Sequence, residues 1–447
     1  MTRLLMVAAF LISASPTAAQ NIPWSRSAGM AGSDFALARG FSTIETNPAN
    51  LFVDGSVGLS IGASLHGGSV LVRGADVIQL ADILRSAGSG DASLLAGVPA
   101  EGLSVNAFSE SATASLLARL LDVPDPAGGT PVPTFALTYR NFGAVYRQET
   151  IISGEVSREL VDLAVNGFNP EQIDDYAARG TGLRSYSTSS FTLAGSKDFG
   201  RLQIGVGGRY LMGRKLLRAR VFEPEADVDT ETILATTTAV ESRGGQGGAL
   251  DVGLTYRLGG NGFLSLAVQN VWQRMFWDED LFYSQAGFDQ NDLGGTDFRL
   301  LVDRFRPETL DPQATTLEAY ETASTLFEES FQPRIVRAGA GWTLGSSFDI
   351  QVVAAKSFGA GALVPARTDR VAAGLEQRLG PIAVRLGGAL EEGGSRQLAG
   401  GLGITMAFVR VDLAGGWTRE RDASAVRMEG FSGSVGLGFV FPYWDAR

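Results

Sequence analysis

The chain has 447 residues, a formal net charge of −11 at pH 7, one histidine and no cysteine. The acidic balance argues against a nucleic-acid partner, and the scarcity of histidine and cysteine excludes the usual ligand sets of zinc and iron. Mean hydropathy is +0.08, a modest value that also results when strands alternate between apolar and polar residues.

Residues 1–19 are predicted to be a secretory signal peptide. Arg3 is followed by an apolar run from Leu4 to Ile12 and by a small-residue stretch that ends at Ala19, where cleavage is expected. No later segment has the ~18 consecutive apolar residues of a transmembrane helix. A mature chain that spans a membrane therefore has to do so with the strands of a closed barrel.

Residues 20–54 come next and lack the alternation of a strand. They contain an Asn-Pro-Ala element at Asn47, Pro48 and Ala49. This segment is therefore predicted to be separate from the strands that follow it.

Alternating strands begin at Gly55 and continue to the end of the chain. In residues 57–65 apolar side chains occupy every second position, with small or polar residues between them, and residues 250–258 and 409–418 repeat this pattern. About fourteen to sixteen segments alternate in this way, many of them near the ~9–11 residues that cross a bilayer at a tilt. The alternative, a soluble sandwich or barrel, would have shorter strands with the polar face outside.

Aromatic residues cluster near the predicted strand ends, as the interfacial girdle of a membrane barrel requires. These residues are Tyr139, Tyr146, Tyr210, Trp272, Trp277, Trp342 and Trp417. The sequence therefore predicts an all-β protein, a transmembrane antiparallel β-barrel of about fourteen strands with a few short helices.

Residues 75–133 interrupt the strands and are predicted to be a helical insertion. Val77, Leu80 and Leu84 have helical spacing, and a second apolar run lies around Leu120. Helices this short are marginal in water, so we expect them to pack in the lumen or to cap one mouth. A helix lying on the membrane is the weaker alternative, because the segment lacks a basic face.

Residues 278–333 are predicted to be a long acidic loop on the extracellular side, with a short helix at residues 316–330. The segment contains thirteen Asp or Glu residues and could serve as a surface for a protein partner. Leu293 and Leu300 stand where an EF-hand requires ligands, so an EF-hand is excluded and only a loose surface calcium site stays open.

The last alternating strand carries a specific pattern of small, polar and aromatic residues. Ser434, Gly436, Phe439 and Phe441 resemble the signal by which the barrel-assembly machinery recognises bacterial outer-membrane β-barrels. This resemblance implies an outer-membrane location, with that machinery and outer-membrane lipid as partners.

The Asn47-Pro48-Ala49 element resembles one found in FadL-like outer-membrane transporters of long-chain fatty acids and hydrocarbons, where the N-terminal segment folds into the barrel as a hatch. Related PorV-like and TraF-like barrels carry a similar Gly-x-x-x-Asn-Pro-Ala pattern. The resemblance implies that residues 20–54 form a hatch and that residues 55–447 form the barrel.

Two functions follow from this resemblance. FadL-like transporters imply passive transport of a hydrophobic or amphipathic small molecule, which passes the hatch and leaves to the membrane or the periplasm. PorV-like and TraF-like relatives imply the alternative, a non-transporting scaffold for protein export, surface attachment or envelope assembly. A lumen with an apolar cavity and a wall opening would favour transport, and a lumen filled by the hatch would favour the scaffold.

Strand parity places a row of charged residues toward the predicted lumen. These residues are Arg209, Asp251, Arg257, Arg370, Glu376, Arg378, Arg385, Arg410 and Asp412. Opposite charges in this row would pair across the lumen and hold the barrel and the hatch together. Alternatively, the row would line a pathway whose polar groups orient an amphipathic ligand.

The sequence contains no convincing set of catalytic residues. Gly58, Ser60 and Gly62 match the spacing of a nucleophile elbow, and His66 lies on the same strand face. The elbow, however, requires a strand-to-helix turn, and Ser60 and His66 are about 20 Å apart in an extended strand. None of the three lysines follows a glycine, so the chain has no P-loop. We therefore expect neither an enzyme nor a cofactor.

Overall fold

The structure is a computed structural model. It describes residues 24–52, 57–73, 103–109, 134–156, 182–221, 225–227, 232–259, 261–279, 282–288, 300–305, 333–358, 369–391, 395–421 and 427–442. The predicted signal peptide and the helices predicted in residues 75–133 and 316–330 lie outside these ranges and stay predictions.

Strands dominate the described residues. They are β1 (Val57–Arg73), β2 (Leu103–Ser109), β3 (Thr134–Tyr139), β4 (Phe142–Val156), β5 (Gly182–Phe199), β6 (Leu202–Val221), β7 (Glu225–Asp227), β8 (Thr232–Ser242), β9 (Gly244–Gly259), β10 (Gly262–Glu279), β11 (Phe282–Phe288), β12 (Leu300–Phe305), β13 (Arg334–Leu344), β14 (Phe348–Phe358), β15 (Arg370–Leu379), β16 (Ile382–Glu391), β17 (Arg396–Met406), β18 (Val409–Arg421) and β19 (Arg427–Pro442). No helix in the described ranges is long and apolar enough to cross a bilayer.

The strands form a closed antiparallel barrel with fourteen positions around its wall. Strands β2 and β3 share one position because both pair with β1 and β4, and β8 shares a position with β9, β11 with β10, and β12 with β13. The barrel closes where β1 pairs with β19, with Ile61 opposite Phe439. Closure removes the free sheet edges that a membrane-spanning sheet cannot leave unpaired, and the predicted barrel is confirmed.

Side chains alternate between the two faces of this wall. On β17, for example, Leu398 is 61% exposed whereas the neighbouring Gln397 is 6% exposed. The same split leaves a continuous apolar exterior around small and polar interior residues, which is the pattern of a barrel that faces lipid. An exterior this apolar would make a soluble monomer aggregate.

The two ends of the barrel differ in the length of their connections. Turns of two or three residues join β3 to β4, β5 to β6, β9 to β10, β13 to β14, β15 to β16, and β17 to β18 at one end. Gly200 and Gly380 have left-handed φ angles in two of these turns, a conformation that costs glycine little. We call this the short-turn end. In outer-membrane barrels the short turns are periplasmic and the long loops extracellular.

Three sequence predictions need correction. Residues 103–109 of the predicted helical insertion form β2, and residues 282–288 and 300–305 of the predicted acidic loop form β11 and β12. These segments form strands because a long or adjacent strand supplies partners for their backbone groups. Strand β4 pairs with β2, and β8 pairs with β11. Trp277, assigned to the aromatic girdle, is buried and packs edge-on against Tyr186. It lies five residues after the exposed Trp272, and therefore on the opposite face of β10.

Residues 24–52, here called the plug, fill the interior of the barrel near the short-turn end. The plug contains helix α1 (Ser25–Gly29), helix α2 (Ser42–Thr46) and a 3₁₀ turn (Pro48–Phe52). The plug elements contact β4, β5, β6 and β9 on one side of the wall and β16 to β19 on the other. Helices of this length are not stable alone, so the plug owes its structure to the surrounding wall.

Candidate functional site

Glycines of the wall make room for the plug. A Cβ atom added at Gly205 would overlap the backbone of Pro48 and Ala49, and one added at Gly387 would overlap the backbone of Met30. We call the glycines in this position the glycine belt. Its members are Gly62, Gly143, Gly205, Gly253, Gly339, Gly341, Gly374, Gly387, Gly401 and Gly436. The absence of side chains lets the plug backbone lie directly against the strands at Gly205, Gly387 and Gly401, and makes room for plug side chains at the other positions.

A pair of buried polar side chains ties the plug to β14. The Oε1 atom of Gln351 accepts hydrogen bonds from the backbone N–H groups of Phe35 and Leu37, at 3.1 and 2.8 Å. Its Nε2 atom donates to Asp34, whose carboxylate also accepts from Ser27 and Ser42. Buried backbone groups need such partners, and here the wall supplies them to a plug segment that has no regular secondary structure.

A chain of charged residues, here called the charged chain, connects the plug to three wall strands. Arg26 of the plug pairs with Asp34 at 2.5 Å and with Glu376 of β15 at 2.9 Å. The chain continues from Glu376 to Arg385 of β16, from Arg385 to Asp412 of β18, and from Asp412 to Arg410, with 2.6 Å at each step. Positive and negative groups thus alternate with hydrogen-bonding geometry, which offsets the cost of burying them.

Arg26 is the plug residue that joins this chain to the wall. Burial by itself lowers the pKa of its guanidinium, but the carboxylates of Asp34 and Glu376 more than offset that effect and hold the pKa above its ordinary value. Arg26 therefore stays charged at neutral pH, and its ion pairs persist as long as Asp34 and Glu376 are ionised.

The other residues predicted to face the lumen are also in ion pairs. Arg209 pairs with Asp251 at 2.5 Å, Arg370 with Glu391 at 3.2 Å, Arg378 with Asp349 at 3.1 Å and Arg257 with Asp198 at 3.6 Å. Arg370 also donates to the carbonyl of Ala31, so it contacts the plug directly. The charged row thus holds the wall together and, through Glu376 and Arg370, holds the plug.

The Asn-Pro-Ala element anchors the plug on β9. The amide of Asn47 donates to the hydroxyl of Thr255 at 3.0 Å, and its Oδ1 atom accepts from the backbone N–H of Ala49 at 3.2 Å. Pro48 begins the 3₁₀ turn, where its fixed φ and missing N–H are tolerated. Thr255 in turn donates to Asn50 at 2.6 Å. The element therefore forms a buried hydrogen-bond network of amides and hydroxyls with the wall.

The predicted assembly signal lies on β19 with its two halves on opposite faces. Ser434 donates to Ser25 of the plug at 2.6 Å, and Gly436 belongs to the glycine belt. Phe439 and Phe441 face outward, and Phe441 stacks on Phe408 with 5.9 Å between ring centroids. Recognition of this strand by the assembly machinery stays a prediction.

The wall is irregular where β10 passes the plug. Asn270 has a φ of +54°, its backbone N–H donates to Asp251 at 2.8 Å, and the β9 register shifts between Val268 and Trp272. In the described residues β10 pairs with β13 only as far as Gln269, whose side chain donates to the carbonyl of Glu45 in the plug. The bulge therefore lies at the level where the plug meets this part of the wall.

Sequence reasoning did not single out Arg26, Asp34, Asn50, Thr255 or Gln351. Parity along β9 and β14 would have placed Thr255 and Gln351 inside the barrel. No local pattern marks Arg26, Asp34 or Asn50, because they lie in a segment without regular periodicity.

No protein-family model and no curated protein matches this chain. Solved structures with a similar fold include the Ralstonia pickettii toluene transporter TbuX (12% identity, TM-score 0.56, covering 94% of this chain and 99% of that one). They also include the monoaromatic hydrocarbon channel CymD (12%, 0.55, 95% and 99%) and the Pseudomonas putida toluene transporter TodX (10%, 0.51, 96% and 99%). The predicted likeness to FadL-like barrels is thus confirmed at the level of the fold.

Proposed function

We propose that the protein is an outer-membrane channel that passes hydrophobic or amphipathic small molecules without an energy source. The observation that carries this proposal is a plug seated in the short-turn half of a barrel that shares its fold with TbuX and CymD. In outer-membrane barrels this half faces the periplasm, so a molecule that enters between the extracellular loops reaches the plug before it can leave.

A closely packed apolar cluster lies on the inner face of the wall, and its side chains have to separate before a molecule contacts them. Tyr186, Leu211, Leu216 and Trp277 are buried side chains on β5, β6 and β10, and Tyr186 and Trp277 touch edge to face with 5.6 Å between ring centroids. Aromatic and aliphatic side chains of this kind form the body of most small-molecule sites. The group lies on the long-loop side of the Asn270 bulge.

Because the plug fills the lumen at the glycine belt, a passing molecule requires the plug to move or the wall to open. We place the wall opening at the bulge at Asn270, because its φ of +54° and the shift of the β9 register interrupt the regular ladder there, and its side chain bonds the carbonyl of Pro333 beside β13. A neutral molecule could leave there into the membrane. A charged molecule has to pass the plug, because hydrocarbon does not solvate it.

The same filling of the lumen favours a second candidate, the non-transporting scaffold. The ion pairs of Arg26 and the hydrogen bonds of Asn47 fix the plug on opposite sides of the wall, as a purely structural filler would require. The two candidates differ in whether molecules cross a membrane that contains the purified protein.

Uptake of radiolabelled toluene into vesicles that contain the protein tests the proposal. A transporter predicts uptake faster than into vesicles without protein. Uptake equal to that background, with the barrel folded, overturns the proposal and supports the scaffold.

A disulfide between the plug and the wall separates the two exits. The chain has no cysteine, so Ser25→Cys with Ser434→Cys introduces one defined pair. Their hydroxyls lie 2.6 Å apart, and oxidation would lock the plug to β19.

The locked protein separates the two exits. If toluene leaves through the wall, uptake is unchanged by oxidation; if toluene passes the plug, uptake falls on oxidation and recovers on reduction. Ser25→Cys alone is the matched control, because it carries the same plug substitution and cannot form the cross-link.

A further inference from the structure

Arg396 of β17 and Arg419 of β18 are direct cross-strand partners. Their neighbours in sequence, Gln397 and Thr418, are buried in the interior of the barrel, so alternation places both arginines on the outer face of the wall. Directly opposite residues of an antiparallel pair have Cβ atoms about 4.5–5.5 Å apart, and like charges in this arrangement are destabilising. An anion between the two guanidinium groups would remove this repulsion.

The two arginines differ from other exposed cations at the same end of the barrel, opposite the short-turn end. Those cations have partners within the protein, as in the ion pair of Lys356 with Asp369 and the hydrogen bond of Arg334 to the carbonyl of Val271. In the described part of the chain, the side chains of Arg396 and Arg419 have no ion pair, hydrogen bond or ring contact. Their charges are therefore available to a ligand.

Arginine also predominates at the neighbouring outward positions of β18 and β19. By register Glu429 lies opposite Arg419, and Arg427 lies opposite Arg421 one outward pair further along the strands. Residues two apart in a strand share a face, so these positions continue the surface that begins at Arg396. We call the outward positions 396, 419, 421, 427 and 429 the basic patch.

The basic patch lies at the boundary between the apolar band of the barrel and the extracellular side. Strand β17 has 11 residues, from Arg396 to Met406 at the short-turn end. At ~3.3 Å per residue and a tilt of 35–45° it rises about 25 Å along the barrel axis, which is the height of the apolar band. Leu398 and Trp417 form the next cross-strand pair below the arginines, so apolar wall begins directly beneath the patch.

We propose that Arg396 and Arg419 bind a phosphate group of a lipid in the extracellular leaflet. The planar forks of two adjacent guanidinium groups match the oxygens of a phosphate, and the exposed Leu390 and Leu398 supply a surface for its acyl chains. In an outer membrane the lipid of this leaflet is a phosphorylated glycolipid. This inference goes beyond the proposed function, because it requires the barrel to lie in an outer membrane but not to transport anything.

Native mass spectrometry of the detergent-purified full-length protein with added lipid A tests this proposal. We expect lipid A to stay bound, and dephosphorylated lipid A to bind more weakly by about tenfold or more. Glucose 1-phosphate, which carries the phosphate without acyl chains, should not displace lipid A. Absence of bound lipid A, or equal binding of the dephosphorylated form, overturns the proposal; displacement by glucose 1-phosphate overturns the lipid as the ligand.

Substitutions locate the binding on the basic patch. Arg396→Gln and Arg419→Gln should each weaken lipid A binding by about tenfold, and two separate variants guard against one that fails to fold. Lys356→Gln is the matched control, because it removes an exposed cation at the same end of the barrel that pairs with Asp369, and it should leave binding unchanged. Equal binding by the parent and both arginine variants overturns the site.

Two further measurements separate this inference from a structural role and from the proposed function. In lipid-free detergent neither arginine substitution should lower the unfolding temperature, because each relieves a like-charge contact; a fall in both variants would show that the arginines support the wall and overturns the proposal. Toluene uptake without lipid A binding overturns only the lipid site, and lipid A binding without toluene uptake overturns only the channel.

Discussion

Arg26 and Glu376 are 350 residues apart in the sequence, and their Nε and Oε2 atoms lie 2.9 Å apart inside the barrel. Glu376 also accepts from Arg385 at 2.6 Å, so one carboxylate joins the plug to two late strands of the wall. The plug can acquire this partner only when β15 and β16 are in place. Seating of the plug and closure of the barrel are therefore coupled.

Glu376→Gln should loosen the plug. The substitution leaves Arg26 and Arg385 buried with one carboxylate fewer, a loss of roughly 3–5 kcal/mol for broken buried pairs. The reporter is Ala36→Cys, a fully buried plug position in a chain without cysteine, and the measurement is its rate of maleimide labelling. We expect much faster labelling in Glu376→Gln than in the parent.

Lys356→Gln is the matched control for that prediction. Lys356 and Asp369 form an exposed pair at 2.8 Å, and such pairs contribute about 0–1 kcal/mol. Its labelling rate should equal that of the parent. Equal rates in the parent and in Glu376→Gln would show that the buried pair does not hold the plug.

Gly205→Ala should displace the plug by steric overlap. An added methyl group would occupy the position of the Pro48 and Ala49 backbone, which is not free to rotate away as a flexible side chain would be. We expect faster labelling of the Ala36→Cys reporter while the barrel stays folded. Gly433→Ala is the control, since an added Cβ there meets no atom within 4 Å; similar behaviour of the two variants would refute the role of the glycine belt.

Asn47→Ala should weaken the anchor on β9. The variant removes hydrogen bonds to Thr255 and to the Ala49 N–H, and leaves buried polar groups that cost about 1–3 kcal/mol. Labelling of the reporter should accelerate, and toluene uptake should rise if the plug lies on the path. Asn141→Ala removes an amide that donates to the carbonyl of Ser196, a residue of the wall, at the β3–β4 turn, and should change neither quantity.

Leu386→Arg should impair insertion of the barrel. Leu386 is 60% exposed in the middle of β16, where it faces the centre of the membrane, and an arginine there costs about 2–4 kcal/mol. Leu379, next to the β15–β16 turn, is similarly exposed, but Leu379→Arg near the interface costs about 0–1 kcal/mol. The fraction of heat-modifiable, folded protein on electrophoresis measures the difference, and equal fractions would contradict the orientation of the wall.

Local periodicity carried most of the fold prediction. The two-residue repeat is a property of each strand by itself, so the barrel, its apolar exterior and the inward position of residues such as Glu376 and Arg410 followed from parity. Trp277 was assigned to the wrong face because its position near a strand end was weighed above that same parity. Strands β2 and β11 were missed because flanking segments dominated the interpretation of residues 75–133 and 278–333.

The sequence by itself determined that the chain forms a barrel and which side chains face its interior. Only the tertiary structure decided that Arg26 meets Glu376, that Gly205 and Gly387 receive the plug, and that Arg396 lies opposite Arg419. The physical reason is that these contacts depend on closure between β1 and β19 and on the register of every strand between them. No local pattern encodes a distance between a plug without periodicity and strands hundreds of residues later.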